Sequence, residues 1–216
     1  MNSHDWLAVA LVACLCVAVA EAHEEDPQHE EAAAQTVATR SALVQPLGRS
    51  GTLDARSYFT DTLLLDQDGR EVRFYSDVLA GRVVLLNVIF TSCEDACPLI
   101  TRKLAEVRKS LGEQAGKVHF ISLSSDPQRD SPHALKAYAN KHGADDPNWI
   151  FLTGDKDKVA LVLGRLGHLS RSPEEHSTLL IAGDVPNKRW SKIRPDAPPA
   201  AIAQRLQLMI LPPAGR

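Results

Sequence analysis

The chain has 216 residues, 44% of them apolar, which is enough for one sizeable core. Its formal charge is −3, and seven of its 27 acids precede Thr36, where there is no Lys or Arg; the rest carries 24 bases against the remaining 20 acids. So mild and scattered an excess excludes a basic nucleic-acid surface, and the sequence holds no internal repeat, Walker loop or dinucleotide fingerprint.

Residues 1–22 read as a signal peptide or N-terminal anchor. The apolar run Trp6 to Ala20 is shorter than the ~20 residues of a comfortable membrane span. It ends in Ala20-Glu21-Ala22, which predicts cleavage after Ala22. The usual basic start is missing, since the first Lys or Arg is Arg40. Leu11-Val12-Ala13-Cys14 offers an alternative, a lipoprotein cleavage box, although the residues after Cys14 stay apolar. Export removes Cys14 and Cys16 with the leader and leaves Cys93 and Cys97. Two cysteines in an oxidising compartment form a site, not a disulfide scaffold.

Residues 23–50 form an acidic flexible linker. His23, exposed as a new N-terminus, could chelate Cu(II) together with His29; the plainer reading is a solvated tether. Residues 51–216 then form one domain.

Within it, Thr62–Leu65 and Glu71–Phe74 flank the turn signal Asp66-Gln67-Asp68-Gly69 and predict a hairpin. Tyr75–Leu79 is a helical turn ended by Gly81. Val83–Phe90 is a buried strand. A polar turn carries Cys93 and Cys97, and a helix runs from Pro98 to about Leu111. Val118–Leu123 is a second core strand. Ser131 caps a helix with Pro132 at its first position, running to about His142. Asn148–Leu152 is a third strand, and Asp155 caps a helix to Leu166. Ser177–Ala182 pairs with Trp190–Ile193 across the turn Gly183–Lys188, and Ala200–Ile210 closes the chain. The class is α/β: a thioredoxin-like sandwich, a mixed central sheet flanked by helices, with an N-terminal hairpin.

Strand, Cys-bearing turn and helix together are how a thioredoxin-like fold presents reactive sulfur. If Cys93 and Cys97 share the helix's first turn, their sulfurs lie on one face, with Cα atoms about 6 Å apart, a span a disulfide can bridge. The helix N-terminus favours thiolate. Thiolates select Cu(I) or Zn(II). The pair is therefore a redox couple, half of a metal site, or both; a structural disulfide or inert core thiols is the bland alternative.

Four motifs in order resemble the Sco/SenC family, thioredoxin-fold copper chaperones of cytochrome c oxidase assembly. They are the turn TSCEDACP (Cys-x-x-x-Cys-Pro), the strand end SLSSDPQRDSP, Trp149 with Leu152-Thr153-Gly154, and Glu175-His176-Ser177. The resemblance implies a metal site of Cys93, Cys97 and His176 holding copper, Cu(I) or Cu(II). It also implies a periplasmic partner, the subunit bearing the CuA site of cytochrome c oxidase or another cuproprotein, with a membrane tether through the N-terminus. His176 sits directly before the late strand, whose leading loop passes over the cysteine turn in such folds. His119 falls inside a strand, His133 and His142 on or beside an exposed helix, and His168 in a loop that could approach the site. Asp126, Arg129 and Asp130 read as an ion-pair network fixing a loop. The chain departs from the family at Glu94 (often Pro), Ala96 (bulkier), Glu175 (usually Asp) and the shortened turn after Gly183.

Three activities follow. The first is a copper-binding assembly factor, a metallochaperone rather than an enzyme. The second is a thiol–disulfide oxidoreductase in which Cys93 and Cys97 cycle, with Cys93 attacking. The third is a thiol peroxidase, suggested by Thr91 before Cys93 but lacking that chemistry's Pro.

Overall fold

The computed structural model describes residues 55–212; the expected leader and the whole of the expected linker lie outside them. The described residues open with helix α1 (Ala55–Phe59), which the sequence reading left unassigned. The expected hairpin follows as β1 (Leu63–Asp66) and β2 (Glu71–Arg73). Asp66 fastens its turn by accepting the Asp68 and Arg70 N–H groups, each at 2.9 Å. A π-helical turn (Phe74–Leu79) leads into β3 (Val83–Ile89).

Helix α2 spans Ala96–Ser110, a 3-10 turn Gly112–Lys117, and β4 Val118–Ser124. Next come α3 (Pro132–Lys141), β5 (Trp149–Thr153) and α4 (Lys156–Leu166). Their caps are the ones the sequence signals: the Ser131 hydroxyl accepts from the Ala134 N–H, and the Asp155 carboxylate from Asp157 and Lys158. The chain ends with β6 (Leu180–Asp184), β7 (Arg189–Ile193) and α5 (Pro199–Ile210).

The seven strands lie in the order β2-β1-β5-β4-β3-β6-β7. The central pairs β3–β4 and β4–β5 are parallel and the others antiparallel, so the sheet is mixed as expected. Strand β3 explains why its apolar run is nearly unbroken. Leu85 and Ile89 enter the core under α2, α3 and α5, while Val84, Leu86 and Val88 enter the core under α1 and α4. Its one Asn is held inside: the Trp149 indole donates to the Ser122 hydroxyl at 3.0 Å, and Ser122 donates to Asn87 at 2.8 Å.

One expected boundary moves. The late strand starts at Leu180, not Ser177, and takes in Gly183 and Asp184, which the sequence reading placed in the turn. Gly183 pairs with Trp190 of β7, and the indole covers it so closely that a Cβ there would lie 2.2 Å from the ring. Trp190 in turn packs on Phe59 of α1, ring centroids 5.2 Å apart. Gly183→Ala is therefore expected to displace the indole and cost about 1–3 kcal/mol by overpacking. Thermal unfolding and tryptophan emission would show it as a lower Tm and a shifted spectrum; unchanged values would contradict the packing.

Candidate metal centre

The carboxyl ends of the parallel strands β3 and β4 release two turns side by side, the usual place for a site in such a sheet. The Ser125 N–H donates to the Ile89 carbonyl at 2.8 Å and holds the turns together. The first turn carries Cys93, the second Asp126 to Asp130.

Asp130 joins the turns more firmly. Fully buried, it accepts the Thr91 N–H at 3.0 Å and the Thr91 and Ser124 hydroxyls at 2.5 and 2.6 Å. Burial pushes its carboxyl above the ordinary range, while these donors pull the other way. This corrects part of the sequence reading. Asp126 and Arg129 do form an ion pair, at 3.4 Å, but Asp130 anchors the cysteine turn.

The two cysteines are brought together as free thiols. They do not share the helix's first turn: Cys93 precedes α2, and Cys97 is its second residue. The Asp95 side chain makes no capping bond. The Cys97 N–H, an end group with no partner inside the helix, donates to the Cys93 sulfur at 3.4 Å. Cys93 is partly exposed and Cys97 buried. Burial first, and then the hydrogen bond with Cys93, push the Cys97 thiol up to about 12. The expected easing of ionisation at the helix N-terminus is overridden for this residue by desolvation.

His176 lies beside the turn. Its ring meets Phe90, the residue after β3, edge-on at 5.8 Å, and the Phe90 carbonyl accepts the Cys93 N–H. The imidazole is buried, with Nδ1 2.5 Å from the Pro173 carbonyl and Nε2 3.1 Å from the Val88 carbonyl. A neutral imidazole donates to one of these carbonyls and an imidazolium to both. The structure does not bring His176 into a closed cluster with the sulfurs. Among the described residues, no group of three or more His, Cys, Asp or Glu stands arranged to hold a metal. The donor types still suit a soft cation.

The other histidines divide. His119 is half-buried in β4, and burial lowers it. His133 is exposed. His168 is buried, its Nδ1 2.9 Å from the Ser177 carbonyl, where it braces the loop bearing His176. His142 departs from expectation: it is buried beneath α3, packs on Tyr138 at 4.4 Å, and lines a cleft with Cys93. The signal was present, since Leu135, Tyr138 and His142 recur at helical spacing on one face.

Fold and site together define a thioredoxin-like protein with a dithiol at the carboxyl edge of its sheet. The chain belongs to the SCO1/SenC family, whose sequence profile matches residues 52–208. It is similar to the SCO1 protein homolog of Bacillus subtilis, at 40% identity over 89 residues, 41% of this chain. That match takes in 45% of the Bacillus protein, so the chain spans about half the length of this relative. Among solved structures it resembles Bradyrhizobium japonicum ScoI with copper bound, with a TM-score of 0.58 and 28% identity, covering 68% of this chain and 96% of ScoI. It also resembles BsSco, a member of the Sco family of cytochrome c oxidase assembly proteins in which a disulfide switch was identified. There the TM-score is 0.60 and the identity 27%, covering 70% of this chain and 92% of BsSco.

Proposed function

We propose that this chain is a periplasmic copper-binding assembly factor that carries copper as cargo on Cys93, Cys97 and His176. It delivers the metal to, or maintains the thiols of, the CuA site of a cytochrome c oxidase subunit. The observation that carries this reading is the pair of free thiols at the sheet's carboxyl edge, with His176 packed on the residue that opens their turn. Two sulfurs and an imidazole suit Cu(I). The likeness to copper-bound ScoI supports the cargo.

The asymmetry of the pair favours a second reading, a thiol–disulfide oxidoreductase. An exposed Cys93 would attack and a buried Cys97 would resolve. The likeness to BsSco, with its disulfide switch, fits this reading too. A peroxidase gains nothing from the site, because the Thr91 hydroxyl donates to Asp130.

The test is an anaerobic Cu(I) titration of the reduced full chain, carrying Cys14→Ser and Cys16→Ser, against a competing chelator. One tight equivalent is expected. His176→Ala and Cys93→Ser should each weaken it at least about tenfold, the lower end of what loss of even a supporting residue costs a metal site. Binding indifferent to His176 would overturn the three-donor site and leave the redox reading.

A further inference from the structure

A cleft of about 530 Å³ opens beside Cys93, between α2 and α3. Its apolar lining includes Pro98 and Tyr138, and its charged lining includes Arg102, Lys141 and Glu94. Of the other cations on these two helices, all but Lys109 near the C-terminal end of α2 have partners. Arg108 pairs with Asp146 at 2.5 Å, Lys136 with Asp68 at 2.6 Å, and Lys103 donates to the Pro195 carbonyl at 2.7 Å. Arg102 and Lys141 are exposed and pair with no carboxylate among the described residues. Arg102 reaches His142, whose Nδ1 lies 3.5 Å away, and not a carboxylate. Two cations without a carboxylate partner thus outnumber Glu94 in the lining of a cleft that Cys93 also lines.

We infer that this cleft seats an acidic, cysteine-bearing segment of the partner protein, which Arg102 and Lys141 steer so that its sulfur meets Cys93. The inference rests on the reading of Cys93 as the group that meets a partner. Cations beside a low-dielectric wall concentrate anionic groups and raise their rate of encounter. From Thr36 on, 24 bases face 20 acids, a mild general attraction for acidic peptides, which the control pair of substitutions separates from an attraction that arises at the cleft.

The test uses the reduced full chain with Cys14→Ser and Cys16→Ser. The probes are two short peptides, one with its cysteine among Asp and Glu, the other among Lys, each as a mixed disulfide with thionitrobenzoate. The Cys93 thiolate attacks the peptide sulfur, the probe's S–S bond breaks, and thionitrobenzoate leaves as a coloured thiolate. A Cys93–peptide disulfide forms, and the Cys93 proton goes to solvent. At low salt the acidic peptide should react about tenfold faster or more, the lower edge of electrostatic steering, and 0.5 M salt should erase the difference. Arg102→Glu with Lys141→Glu should reverse the preference, whereas Lys109→Glu with Lys158→Glu, the same charge change elsewhere, should preserve it. Equal rates, or a preference that either pair of substitutions removes alike, would overturn the inference. A preference shown equally by free thionitrobenzoate disulfides of small anionic thiols would overturn the peptide as occupant. The Cu(I) titration of the Arg102→Glu, Lys141→Glu chain keeps the readings apart, because the copper site stands if its affinity is retained while the peptide preference fails.

Discussion

Apparent affinity for Cu(I) is expected to rise at least about a hundredfold from pH 6 to pH 8, a factor of ten per pH unit for the proton that Cys97 surrenders and more for the one that Cys93 gives up. The Cys97 thiol, pushed up to about 12, is protonated throughout that range. A metal takes the thiolate, so each binding event releases this proton, and acid weakens binding. Competition titrations at three pH values, with proton release followed in buffers of different ionisation enthalpy, give the slope. Measured in Cys93→Ser, where Cys97 is the one thiol donor left at the site, a slope well below one per pH unit would mean that Cys97 stays a thiol and is no ligand. The same shift acts on folding. The folded value lies above the ordinary ~8.5 of an unfolded thiol, so this stability is complete below that value and is lost as the pH rises toward about 12. Cys97→Ser, which cannot ionise, should flatten the alkaline fall of Tm.

The sequence announced the frame of this site through local chemistry. A run apolar at every position but Asn87 can only be a strand buried on both faces, and β3 is one. Ser131-Pro132 and Asp155 marked helix starts because capping depends on neighbours a few residues away. What the sequence hid depends on distant contacts. The pattern 177–182 reads as strand, yet pairing with β3 begins only near Ile181, and Ser177 is taken up by its carbonyl's contact with His168. Asp130 sits among charged residues that resemble a surface network, and only the fold reveals Thr91 as its partner, 39 positions away. The same holds for Cys97: its place at a helix N-terminus argued for easy ionisation, while its burial, which requires the whole core, decides the opposite. His176 is named by its motif and by its place in the loop that leads to the late strand. Its contacts with Val88 and Pro173 show what must be given up for the ring to become a ligand.

Asp130→Ala is expected to destabilise the domain by about 3 kcal/mol, within the range for stranding buried donors, and also to loosen the cysteine turn. The Thr91 N–H and the hydroxyls of Thr91 and Ser124 all lose their acceptor, and Ser124 is fully buried. The loss is softened by one term. Burial raises the folded carboxyl above its unfolded value, so its charged form is held at a cost; this group's own contribution is complete below the unfolded carboxylate range and declines as the pH rises through the folded value. The penalty of Asp130→Ala should therefore be larger at about pH 4, near the unfolded carboxylate value, than at pH 8. Asp130→Asn separates shape from charge: its carbonyl still accepts from the Thr91 N–H, and the Ser124 hydroxyl can turn to accept from the amide. Urea unfolding should place it between wild type and alanine. If the turn's position matters to the sulfurs, Cu(I) affinity in Asp130→Ala falls about 10–100-fold, the measure of a lost supporting contact, although Asp130 is not among the proposed donors. An alanine variant that is destabilised yet binds Cu(I) as the wild type does would show that Asp130 serves the fold alone.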